Sequence, residues 1–190
     1  MTESTNDRTA KPSAAAAQLS PEASKLMQQI FDARGATLIA FAQVEWYLAK
    51  IILEAAKYDQ YQGIDLSFTQ DAEKRAQRVK SLLNVDGPFS PYADKLKKAI
   101  DDVLKHEGLR NFAAHGLLVR PEPNNTSLTS PIHLRMFRMY KDGKLTEETR
   151  TLTLKQYTDE QSALTSAARE FGSLVKKIWE DLKFKDLEAE

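Results

Sequence analysis

Residues 38–56 read LIAFAQVEWYLAKIILEAA, and they are apolar on most sides of a helix. A helix that is apolar nearly all round usually lies at the centre of a bundle. The segment is long enough to span a bilayer, but some of its side chains are costly in hydrocarbon. These side chains are Gln43, Glu45, Lys50 and Glu54. We therefore predict a buried helix of a soluble bundle, with no membrane partner.

Start and stop signals predict further helices on both sides of this segment. Before it, Ser20 and Pro21 begin a helix that we expect Gly35 to kink or break. Three more helices are predicted after it. The first follows a cap at Ser67 or Thr69, and the second runs from Pro91 to about His115 with Gly116 as the stop. The last runs from a Thr158–Gln161 capping box to about Phe184.

The pattern changes between the last two predicted helices. Residues 117–130 are loop-like, whereas Ile132–Tyr140 and Leu145–Leu154 are rich in β-forming residues. The Asp-Gly pair inside Lys141–Lys144 is typical of a hairpin turn. The fold class is therefore mainly α, an antiparallel four- or five-helix bundle with one β-hairpin inserted at about 132–154 before the C-terminal helix.

The domain organisation follows from this pattern. We predict a disordered tail over residues 1–20, one helical domain over 21–184 with the hairpin insertion at about 131–155, and a C-terminal tail over 185–190. The first twenty residues are polar and lack the apolar core of a secretion signal, so we predict a cytoplasmic protein.

Composition excludes several classes of site. The 190 residues include no cysteine, which rules out disulfides, thiolate metal sites and a cysteine nucleophile. The 27 basic and 27 acidic residues cancel, so any contact with nucleic acid must be a local patch. The three histidines, His106, His115 and His133, lack metal-binding spacing, and phosphate-binding glycine loops are missing. We expect no metal and no cofactor.

Polar residues enter an apolar helical stripe near the end of the fourth predicted helix. If the helix is continuous from Leu96, then Glu107, Arg110 and Asn111 fall on its core face and His115 at its edge. Charges in that position must be paired, or must line a cleft or an interface. Arginine can grip a phosphate with two hydrogen bonds, and histidine can transfer protons near neutral pH.

The sequence Arg110-Asn111-x-x-x-His115 resembles the signature motif of HEPN domains. The resemblance implies a helical domain that forms a homodimer, in which the motifs of two chains build one ribonuclease site. It implies that Arg110 stabilises the scissile phosphate, that His115 transfers protons, and that Asn111 orients one of them. Glu107 or Glu45 would support these groups. Many HEPN proteins act in toxin–antitoxin, phage-defence or RNA-processing systems, so an RNA substrate and a cognate antitoxin protein are the expected partners.

The same residues also allow simpler interpretations. Arg110 can form a structural ion pair with Glu107 or Glu45, and His115 can stabilise the negative end of its helix. The chain would then be a non-catalytic, HEPN-like helical interaction protein.

Other residues leave similar alternatives. His133, Arg135 and Lys141 share one face of the first hairpin strand and are candidates for RNA contacts, or are simply solvated. We expect Trp46 and Tyr47 to lie in the core. We expect the basic cluster Lys74, Arg75, Arg78 and Lys80 to form a solvated face.

Overall fold

The structure is a computed structural model that describes residues 20–67, 69, 71–119, 131–140 and 143–185. The described residues form five α-helices: α1 Pro21–Ala55, α2 Ala72–Leu82, α3 Ala93–Leu104, α4 Glu107–His115 and α5 Leu154–Asp181. They also form three strands: β1 Leu117–Val119, β2 Pro131–Met139 and β3 Leu145–Thr153. Two short 3-10 turns lie at Asp59–Tyr61 and Ser90–Tyr92. The predicted fold class, a mainly helical bundle with a hairpin before the last helix, is confirmed.

The first helix, α1, is continuous through Gly35, so the predicted break there is wrong. Its start is as predicted, because the Ser20 hydroxyl accepts a hydrogen bond from the Ala23 amide at 3.2 Å and Pro21 follows it. A glycine inside a helix costs only about 1 kcal/mol relative to alanine. Packing around it outweighs that cost, because Ala33 and Thr37 on either side of Gly35 are buried.

Two other helices begin at residues that the sequence analysis did not choose. Helix α2 is capped by Asp71, whose Oδ1 accepts from the Lys74 amide at 3.1 Å, and not by Ser67 or Thr69. Helix α5 begins with a Thr153–Gln156 capping box directly at the end of β3, five residues before the predicted Thr158 cap. The strand leads straight into the helix, so no linker separates them.

The predicted helix from Pro91 to His115 is in fact two helices. Helix α3 ends at Leu104, and the amide of His106 bonds back to Val103 in a tighter turn before α4 starts. This break changes which side of α4 faces inward. Its buried residues are Leu109, Phe112 and Ala113. The prediction that Glu107, Arg110 and Asn111 occupy the core face is therefore wrong.

The strands form one antiparallel sheet in the order β1-β2-β3. Leu117 lies opposite Arg135, and Ile132 lies opposite Leu152. Strand β1 lies in the stretch that was predicted to be a loop. The prediction missed it because its extended conformation depends on pairing with β2, which is distant in sequence. The predicted turn fits Gly143, whose φ is +79°, while Lys141 and Asp142 lie outside the described residues.

Two apolar cores stabilise the molecule, and two helices run through both. The larger core lies between α1, α2, α3 and α5 and includes the fully buried Phe171. The smaller core packs the first half of α1 and the start of α5 against α4 and the inner face of β2, where Ile132 and Leu134 are buried. The site described below lies where these two cores meet along α1.

Helix α1 does not bury all of its apolar residues. Trp46 is 43% exposed, which corrects the prediction that it lies in the core, whereas Tyr47 is half-buried and its ring lies 6.2 Å from that of Phe171. By length and composition alone α1 could span a membrane, a test that the core helix of a soluble protein also passes.

Candidate functional site

One carboxylate, that of Glu45 on α1, holds two guanidinium groups from other helices. Its Oε1 lies 3.2 Å from Nη2 of Arg110 on α4, and its Oε2 lies 3.0 Å from Nη2 of Arg75 on α2. Arg75 also donates to the backbone oxygen of Glu45 at 3.1 Å. The formal charges of the three side chains sum to +1.

The Arg110 guanidinium is fixed on two further sides. Its carbon lies 5.7 Å from the centre of the Phe41 ring, within the range of a cation–π contact. Its Nη1 donates to the Asn111 side-chain oxygen at 3.1 Å. The Arg110 side chain is still 27% exposed, so it is positioned by the fold and remains accessible to a ligand.

His115 is the last residue of α4, and it is exposed. It follows Arg110 by five positions, which places the two side chains about 140° apart around the helix. Asn111 lies between them on the outward face. Within the described part of the chain, no hydrogen bond joins His115 to Asn111 or Arg110. The Asn111 oxygen contacts Arg110 instead.

The end of α4 is held by an arginine that the sequence analysis did not select. Arg34 on α1 donates to the Ala113 carbonyl oxygen from Nε at 3.0 Å and from Nη2 at 2.6 Å. A cation at the carboxyl end of a helix interacts favourably with the negative end of the helix dipole, and it gives a free carbonyl group a hydrogen-bond donor. Gly116 then ends the helix as predicted, its amide bonding to the Phe112 oxygen at 2.9 Å. Arg34 thus fixes the turn that carries His115.

Glu107 lies in the first turn of α4 and is partly buried. Burial raises the pKa of its carboxyl group above the usual 4.5, and the carboxylates of Glu73 and Asp71 raise that pKa further. The positive charges of Arg110 and Arg138 oppose this increase. Arg110 pairs with Glu45 and not with Glu107, so of the two ion pairs considered above the structure forms the Glu45 pair.

The predicted RNA contacts on the hairpin lie on the outward face of the sheet. Arg135 Nε lies 3.6 Å from Glu147 Oε1, and His133 Nδ1 lies 2.9 Å from Thr151 Oγ1. Arg135 faces Leu117, two residues after His115, so this face continues from the end of α4. Lys141 lies outside the described residues.

The main residue of the candidate site that the sequence analysis missed is Arg75. It was grouped with Lys74, Arg78 and Lys80 as a solvated face, but only 7% of it is exposed. Its position in the sequence could have indicated that it is buried, because Arg75 falls in the same helical stripe as the buried Ala72, Ala76 and Val79. Arg78 is also bound, at 2.8 Å from Asp65.

In the part of the chain that the structure describes, no three metal-ligating side chains gather in one place. The chain was also compared with known proteins. It matches no protein-family model, no curated protein and no solved structure.

Proposed function

We propose that the protein is a HEPN-like, metal-independent endoribonuclease whose site is shared between two copies of the chain. The observation that carries this proposal is the geometry of α4, on which the partly exposed Arg110 and Asn111 precede the exposed His115 at the end of the helix. Arg110 is held in place by Glu45 and stays accessible. We propose a cytoplasmic role in a toxin–antitoxin or phage-defence system, with RNA as substrate and an antitoxin protein as a further partner.

The chemistry requires an anion-binding group and two proton-transfer steps. The ribose 2′-oxygen attacks the adjacent phosphorus while a neutral imidazole accepts the 2′ proton, and a protonated imidazole donates a proton to the departing 5′-oxygen. A guanidinium stabilises the charge that accumulates on the phosphorane oxygens. The products are a 2′,3′-cyclic phosphate end and a 5′-hydroxyl end, and neither step needs a metal ion.

Two copies of the chain are needed because one chain supplies too few phosphate-binding and proton-transfer groups. Arg110 and His115 point about 140° apart, so one helix does not close around a phosphate. One motif histidine per chain also cannot serve as base and acid in the same step. Two α4 faces brought together would supply two imidazoles and two guanidiniums. Glu45 then positions Arg110, whose guanidinium remains partly exposed and can bind the phosphate.

The test is cleavage of end-labelled RNA by the purified protein in EDTA. We expect products with 2′,3′-cyclic phosphate ends, and a loss of at least 100-fold in rate for both His115→Ala and Arg110→Ala. The matched control is His133→Ala, a half-buried histidine bound to Thr151, which should keep the wild-type rate at saturating RNA. Cleavage that survives His115→Ala, or that is absent from the wild-type protein, overturns the proposal.

A specific observation also favours a second candidate, a non-catalytic helical interaction protein. Glu45 already neutralises part of the charge on Arg110, as expected for a purely structural ion pair. This candidate predicts normal self-association, no RNA cleavage, and loss of stability without loss of any activity when Glu45 is replaced.

A further inference from the structure

The side of α1 that faces away from the core is an unbroken apolar face between Phe31 and Leu53. Its large side chains are exposed: Phe31 51%, Leu38 37%, Ile39 63%, Trp46 43% and Leu53 63%. Three small residues, Gly35, Ala42 and Ala49, lie between them on the same side of the helix. The face is about 33 Å long, and Lys50 lies at its edge with Nζ 5.2 Å from the centre of the Trp46 ring. Apolar patches of this extent on a surface mark sites of interaction.

Gly35 leaves the backbone of α1 open to a close approach on this face. A glycine in the middle of a helix is destabilising relative to alanine. A Cβ atom at Gly35 would have no atom within 4 Å, so nothing in the described residues requires glycine there. Close approach of another helix would require it.

We propose that a second copy of the chain packs on this face, with its α1 antiparallel to the first and the two helices related by a twofold axis level with Val44. In this register each large residue meets a small one: Leu53 lies opposite Gly35, Trp46 opposite Ala42, and Ile39 opposite Ala49. The face is therefore complementary to itself, as an isologous interface requires.

Charges at the ends of the face agree with the same register. Asp32 lies beside the face near its start, and Lys57, which pairs with Glu54 of its own chain, lies just beyond the end of α1. An antiparallel pair brings Asp32 of each copy next to Lys57 of the other, twice per dimer. A parallel pair would place like charges at the same level, which disfavours it.

The symmetry also connects this surface to the proposed ribonuclease site. Helix α4 packs on one flank of α1, through Arg34, Phe41 and Glu45. The axis lies in the interface and perpendicular to α1, so the α4 flanks of both copies lie on the same side of the dimer. Phe41 and Glu45 are on either side of Val44, so both Arg110 guanidiniums lie near the level of the axis. The docking surface does not depend on the proposed function; only its connection to a shared ribonuclease site does.

The first test is the oligomeric state, measured by sedimentation velocity over a range of concentrations. We expect a dimer for the wild type, and a monomer for Leu53→Asp and Ile39→Asp. The control is Phe137→Asp, which changes an even more exposed residue on the sheet, at 70%, and should leave the dimer intact. A monomeric wild type, or a wild type that binds phospholipid vesicles instead of itself, overturns the proposal.

The second test measures the register with engineered disulfides, which is simple because the chain has no cysteine of its own. Copies with Gly35→Cys mixed with copies carrying Leu53→Cys should cross-link on mild oxidation. Neither variant should cross-link alone, because positions 35 and 53 are about 27 Å apart along the helix. Cross-linking of Gly35→Cys with itself would indicate a parallel pair and overturn the proposal.

Failure of the surface and failure of the proposed function are distinguishable. If the dimer and the mixed cross-link form but wild-type protein leaves RNA intact in EDTA, the docking surface stands and the nuclease proposal fails. If RNA is cleaved equally well by the wild type and by a monomeric Leu53→Asp variant, the docking surface has no role in the site and the shared-site geometry fails.

Discussion

At the residue scale, the Glu45 carboxylate is the most consequential group in the candidate site. Replacing Glu45 by alanine breaks its ion pair with the buried Arg75, and breaking a buried ion pair costs about 3 kcal/mol of unfolding free energy. Glu45→Gln retains an oxygen acceptor and should cost less. Urea denaturation of both variants measures this difference. Lys98→Ala, which removes an exposed pair with Asp102, is the control and should not change the midpoint. Equal midpoints for Glu45→Ala and wild type would contradict the structural role.

Glu107 gives a prediction about pH. Burial raises the pKa of its carboxyl group in the folded state above the usual 4.5, so the folded protein holds this proton more tightly than the unfolded chain does. Glu107 therefore lowers stability as pH rises from about 4.5 through the raised pKa. We expect Glu107→Gln to melt at a higher temperature than wild type at pH 7. The difference should disappear at about pH 4, where both states are protonated. A difference in melting temperature that is independent of pH would exclude this explanation.

At the element scale, the sequence predicts the helices and the hairpin well but predicts poorly how they join. Periodicity and caps depend on near neighbours, so they identify the start of α1 and the end of α4. The break at His106 and the pairing of β1 depend on tertiary packing, which local sequence does not show. The same limit applies to the site. The motif residues Arg110 and His115 were found by spacing, whereas the contact of Arg34 with Ala113 joins residues 79 positions apart.

Replacing Arg34 tests how much its hydrogen bonds stabilise the end of α4. Arg34→Met removes both hydrogen bonds to the Ala113 oxygen but keeps much of the apolar side chain. We expect a loss of about 1.5 kcal/mol in unfolding free energy and faster hydrogen exchange of the last α4 amides. If the proposed function holds, RNA cleavage should fall as well, because His115 lies in that turn. Arg135→Met, at a weaker surface pair on the sheet, is the control and should not change exchange in α4.

At the scale of the whole molecule, α1 and α5 each contribute to both cores. Ile30 on α1 and Tyr157 on α5 belong to the smaller core, whereas Ile51 and Phe171 on the same two helices belong to the larger one. The sheet cannot separate from the bundle without exposing part of both long helices. Glu45 lies in the part of α1 that packs in the larger core, and Arg34 lies next to the part that packs in the smaller one, so the geometry of the candidate site depends on both.

This arrangement predicts a single cooperative unfolding transition. Ile30→Ala, at a residue that is 1% exposed in the smaller core, should cost about 3 kcal/mol through lost packing. The loss should appear equally at both ends of the molecule, because the two cores share their helices. Hydrogen exchange measures it: the amides of Leu134 in the sheet and of Phe171 in the bundle should lose the same protection. If Ile30→Ala weakens protection at Leu134 and leaves Phe171 unchanged, the sheet and α4 form a separate unit. The face of α4 would then be able to move relative to the dimer surface on α1.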